Sequence, residues 1–106
     1  MIEFSYDSNA NTLTGRLAGR MDTVYCQELT AELENRLAAV TDSESRAAVR
    51  IVFDMAAVDY IFSAFFRVCM STARQLAPGN FSIVNAAPEV KRAFQQVELD
   101  YFFKIS

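Results

Sequence analysis

Hydrophobic positions alternate along the start of the chain. Ile2, Phe4 and Tyr6 fall on every second residue, the period of a β-strand with one buried face. The cluster Asp7-Ser8-Asn9-Ala10-Asn11 is turn chemistry, and alternation resumes over 12–19, with Leu13, Gly15 and Leu17 on one face. Two strands joined in this way predict a hairpin. From Asp22 the period changes. Cys26, Leu29, Leu33, Leu37 and Val40 recur every three or four residues, which predicts an amphipathic helix of about 18 residues. Asp22 is placed to cap it, because a carboxylate there accepts from unpaired amides of the first turn.

A polar stretch over 41–45 then predicts a surface loop. The run over 48–54 is short, nearly all apolar and rich in β-branched residues, which predicts a buried central strand. Residues 55–62 are expected to be a connection, and Ser63 to cap a second helix with Phe66, Cys69, Met70, Ala73 and Leu76 on its inner face. Pro78-Gly79-Asn80 ends it. Residues 81–85 predict another short strand. Ala87-Pro88-Glu89 opens a third helix, with Val90, Phe94 and Val97 as its apolar stripe. Residues 101–105 close the chain as a short strand or extended segment. The order β-β-α-β-α-β-α-(β) places the protein in the α/β class. The alternating part predicts parallel inner strands, and the hairpin makes the sheet mixed.

Composition narrows the function. At 106 residues a single domain over 1–106 is expected, and 52% hydrophobic residues exclude disorder. With 10 basic and 13 acidic residues, net −3, electrostatics gives no support to binding nucleic acid or an anionic membrane. The absence of histidine removes the commonest general base and metal ligand together. Three glycines leave no phosphate-cradling loop, so neither a metal nor a cofactor is expected, nor an enzyme. Cys26 and Cys69 are far apart in apolar patterns and are expected as reduced core residues. No basic leader opens the chain and no apolar run is long enough for a membrane span, so a soluble cytoplasmic location is expected.

The remaining candidates are polar residues at strand ends beside helix starts: Asp22, Asp54, Ser63 and Asn85. Asp54 reads foremost as a loop-orienting acceptor. Ser63 has two readings. It is an ordinary cap, or it is a modification site, where a phosphate would bring roughly −1.5 to −2 charges to the positive end of a helix. Phe62 and Phe65 fit the inner face of that helix less well than Phe66. They form an exposed apolar patch or fold into the core.

These segments, in this order, resemble the STAS domain, and specifically the stand-alone bacterial anti-sigma-factor antagonists. Gly19-Arg20-Met21-Asp22 is similar to the family's step before its first helix. Ile51-Val52-Phe53-Asp54-Met55 resembles its central strand ending in aspartate, and Val58-Asp59-Tyr60-Ile61-Phe62-Ser63 the approach to its regulatory serine. Phe81 to Val90, with Asn85 and Pro88, resembles its fourth strand, loop and proline-opened helix, and 97–105 its closing segment, with Glu98 where glycine is usual.

The resemblance implies a four- to five-stranded mixed sheet with helices packed mainly on one face. It also implies a non-catalytic regulatory protein that works by partner switching. The unphosphorylated protein would bind a serine-kinase anti-sigma factor. Phosphorylation at Ser63 would release it, and a phosphatase would reset it. The partner face expected is Asp22, Phe62, Ser63, Phe65 and Arg67, with Asp54 and Asn85 shaping the adjoining loops. Phe65 stands where the family usually has glycine, which adds apolar area and blocks close backbone approach. That departure favours an alternative: a scaffold or homodimerisation module without phosphorylation. Nucleotide binding, reported for some STAS domains, is a weaker third reading.

Overall fold

A computed structural model describes residues 2–42 and 45–106. Five strands form one sheet: β1 (Ile2–Asp7), β2 (Thr12–Met21), β3 (Arg50–Ile61), β4 (Phe81–Val84) and β5 (Lys104–Ile105), in the spatial order β1-β2-β3-β4-β5. The β1–β2 pair is antiparallel and every other pair is parallel. Three helices, α1 (Thr23–Val40), α2 (Ser63–Arg74) and α3 (Pro88–Gln96), connect the parallel strands.

Alternation decides which face of the sheet is covered. Leu13 and Leu17 of β2, Ile51 and Phe53 of β3, and Ile83 of β4 are all buried, while Thr14, Arg16, Val52, Asp54 and Ser82 between them are half-buried or exposed. The buried set packs with Leu29, Leu33 and Leu37 of α1, Phe65 and Cys69 of α2, and Val90 and Phe94 of α3 in one continuous core. The helices therefore lie on one side of a five-stranded mixed sheet. A chain of rings joins the elements: Phe53 to Phe65 (6.1 Å), Phe65 to Phe94 (6.1 Å), Phe94 to Phe103 (5.9 Å) and Phe103 to Phe81 (4.9 Å).

Several expectations are corrected. Residues 55–61 are not a connection. β3 runs on to Ile61 beside β2, with two register shifts that let it bend while staying paired. The Asp54 carboxylate supports the first shift by accepting from the Ala56 amide (3.0 Å). Val97 does not join the stripe of α3 but is 48% exposed, because the helix ends at Gln96. Just beyond it Glu98 takes a left-handed φ of 61°, a conformation that glycine adopts without strain. The closing segment is a 3-10 turn over Leu99–Tyr101 followed by only two strand residues. Of the polar loop expected over 41–45, Ser43 and Glu44 lie outside the described residues.

Both thiols are buried, and burial pushes both above their ordinary range, with Asp22 adding to the effect at Cys26. They are held in the protonated, unreactive form. Among the described residues no helix is long and apolar enough to cross a membrane.

Candidate functional site

The parallel pairing of β2 with β3 sets up the site. Met21 lies opposite Ile61, and the Phe62 amide donates to the Met21 carbonyl (3.3 Å). The next residue on each strand starts a helix, so α1 and α2 begin side by side at one end of the molecule. Thr23 and Ala64 line the same shallow groove between them.

The two starts are built differently. Asp22 is the N-cap of α1, and its Oδ1 accepts from the Tyr25 amide (2.9 Å). Tyr25 in turn ties the helix to β2, its hydroxyl accepting from the Ala18 amide (3.0 Å). Replacing Asp22 by alanine is expected to cost about 0.5–2 kcal/mol, with asparagine retaining most of the stability, as urea denaturation of the two variants would measure. α2 has no such cap. Its N-cap is Phe62, which offers no side-chain acceptor, and Ser63 is the first helical residue. The expectation that Ser63 itself caps the helix is thereby corrected. Ser63 is exposed at the first turn, where the Phe65 amide turns back to the Phe62 carbonyl (2.9 Å).

The neighbouring aromatics divide. Phe65 is completely buried, in ring contact with Phe53 and Phe94. The expectation that it belongs to an exposed patch is corrected: its ring fills the space between β3 and α3. Phe66, expected inside, is only half-buried and packs edge-on against Phe94 (5.0 Å). Packing against the sheet sets the buried face: Phe65 and Thr72 take the place of Phe66, Met70 and Ala73, while Cys69 and Leu76 are inside as expected.

Phe62 is half-buried on the outer side of the β2–β3 ribbon. It packs against Tyr60 (4.9 Å), and the Arg20 guanidinium lies 5.3 Å from its ring centroid and 5.9 Å from that of Tyr60. Arg20 and Tyr60 were not among the sequence candidates. Extending the strand reading through 58–62 would have put Tyr60 and Phe62 on one face. Arg67 is exposed one turn beyond Ser63. Asp54 and Asn85 meet directly: the Asn85 amide Nδ2 donates to Asp54 Oδ1 (3.1 Å), joining the β3 bend to the β4 exit, where Asn85 takes a left-handed φ of 58°. Among the described residues no cluster of three or more metal-ligating side chains is gathered.

A one-sided α/β domain that presents two adjacent helix starts at one end has counterparts among known proteins. The STAS domain model matches residues 4–106, and the chain belongs to the STAS domain family. No curated protein sequence matches it. Among solved structures it is similar to the anti-sigma factor antagonist SpoIIAA in its unphosphorylated form, with a TM-score of 0.76 and 17% identity, covering 100% of this chain and 88% of that one. The Bacillus cell fate determinant SpoIIAA in its phosphorylated form is similar over 100% of this chain and 91% of that one (TM-score 0.68, 16% identity). An anti-sigma factor antagonist from Mycobacterium paratuberculosis matches with a TM-score of 0.69 and 22% identity, covering 99% and 85% of the two chains. At these identities the likeness is one of fold.

Proposed function

We propose that this protein is a regulatory binding protein of the anti-sigma-factor-antagonist kind, acting by partner switching with a serine-kinase anti-sigma factor rather than by catalysis. The observation that carries the reading is the exposed Ser63 at the uncapped first turn of α2, next to the start of α1. The partner face is Asp22, Phe62, Ser63 and Arg67, with Arg20 and Tyr60 adjoining. Phe65 is excluded by its burial.

The switch follows from charge. A kinase would transfer the γ-phosphoryl group of ATP to Ser63 Oγ, with ADP leaving and the hydroxyl proton lost. The product carries roughly −1.5 to −2 charges at neutral pH, is tolerated locally by the positive end of α2 and by Arg67 one turn on, and changes the sign of the surface a partner meets. A phosphatase restores it.

Calorimetric titration of a serine-kinase anti-sigma factor from the same cells tests this. Ser63→Ala is expected to bind like wild type and Ser63→Asp at least about tenfold more weakly, a difference of about 1.4 kcal/mol. Equal affinities for the two variants would remove the charge switch.

A second reading, homodimerisation without phosphorylation, is favoured by the exposed Val97, Tyr101 and Phe102 near the C-terminal end, the last two 82% and 62% accessible. A molecular mass that rises with concentration and falls back on Phe102→Ser would support it.

A further inference from the structure

The flank of α2 turned away from α1 carries a second surface. There Phe66 and Met70 face Val97 and Leu99, across the turn that follows α3, in an open groove of about 480 Å3. Ser63 stands at its head, and Arg67 and Arg74 line it alongside the apolar residues. Every charge in the lining is positive, although the chain as a whole carries −3. Neither arginine pairs with an acid among the described residues. Glu98, between Val97 and Leu99 in sequence, is exposed but does not line the groove.

We propose that this groove is a docking site for an acidic amphipathic α-helix of a protein partner. The proposal rests on the reading of Ser63 and Arg67 as part of a docking surface, which the groove continues along α2, and supplies the chemistry of the guest. Arg67 and Arg74 are two helical turns apart, so their Cα atoms are separated by about 10.5 Å along α2 at about 1.5 Å per residue. A guest helix laid along α2 repeats that rise. Two carboxylates seven residues apart on it share one face and meet both arginines. Its apolar residues three and four positions between them descend onto Phe66, Met70, Val97 and Leu99. An extended segment would span the same distance in about three residues, and residues three apart on a strand point to opposite sides. The spacing of charge over an apolar floor therefore selects a helix, and its sign selects an acidic one.

Fluorescence anisotropy on the full chain tests this. The probe is a labelled, helix-favouring peptide with two glutamates seven residues apart and leucines three and four positions after the first. Wild type is expected to bind it, and Arg67→Glu/Arg74→Glu to bind at least about tenfold more weakly, as is wild type toward the same peptide with lysine for glutamate. Arg50→Glu, a single such reversal on the uncovered face of the sheet, is expected to leave affinity unchanged, whereas Arg67→Glu alone is expected to weaken it. Peptide binding should shift the methyl resonances of Val97 and Leu99. Equal binding by the double arginine variant or by the lysine peptide would overturn the proposal, as would self-association of the free protein that the arginine variant abolishes. If no peptide binds while Ser63→Asp still releases a whole partner, the guest chemistry is wrong and the docking surface stands. If the peptide binds as expected while partner binding ignores Ser63, the groove stands without the switch.

Discussion

Replacing Phe65 by alanine is expected to lower stability by about 3–5 kcal/mol, the range for removing a fully buried aromatic ring. The ring is 0% exposed and touches Phe53 on β3 and Phe94 on α3, so its loss opens a hole where sheet and two helices converge. Those neighbours are themselves completely buried and already in ring contacts with others, which limits how far they collapse into the gap. For a domain of this size, that loss corresponds to a fall in Tm of roughly 12–40 °C and consumes much of a typical total stability of about 5–15 kcal/mol. Urea denaturation followed by circular dichroism should show a lower midpoint with an unchanged slope. Partner affinity, measured where the variant is folded, should be little altered. A variant as stable as wild type that has lost its partner would instead make Phe65 a contact residue that swings outward.

At Gly15 two effects of opposite sign compete, and the structure decides between them. A glycine inside a strand costs roughly 0.5–1 kcal/mol relative to alanine, so propensity alone favours substitution. A Cβ built there, however, would lie 2.9 Å from Phe4 Cε1 and 3.4 Å from Phe53 Cδ1. Phe4 is on the edge strand and only half-buried, so its ring can shift toward solvent. Phe53 is fully buried and has none. Gly15→Ala is therefore expected to stay within about 1 kcal/mol of wild type. Gly15→Val, whose added methyl groups press on Phe53, is expected to lose about 1–3 kcal/mol. Thermal melts of both variants measure the difference. A stabilised valine variant would show that β1 moves away without cost.

Much of this fold was legible in the residues. The hairpin, the three helices and the parallel inner strands follow from changes of period that neighbours in sequence impose on one another. Asp22 as a cap was legible too, since a cap and the amides it serves lie within one turn. The candidate surface was less so. The second half of β3 is hidden from a reading by period, because register shifts interrupt its alternation and leave Ala56 and Ala57 both exposed. Phe65 and Phe66 exchanged roles because packing against the sheet sets which side of the helix is buried. Neighbouring side chains on a helix point about 100° apart, as 3.6 residues per turn requires.

The sequence by itself determined the class of fold and the family, because these depend on local periodicity and the order of short segments. Only the tertiary structure decided which aromatics are core, that α1 and α2 start side by side, and that two arginines of α2 face an apolar floor completed by Val97 and Leu99. The reason is distance along the chain: these features join residues from separate elements, and the pairing of β2 with β3 and the packing of α2 near the end of α3 bring them together.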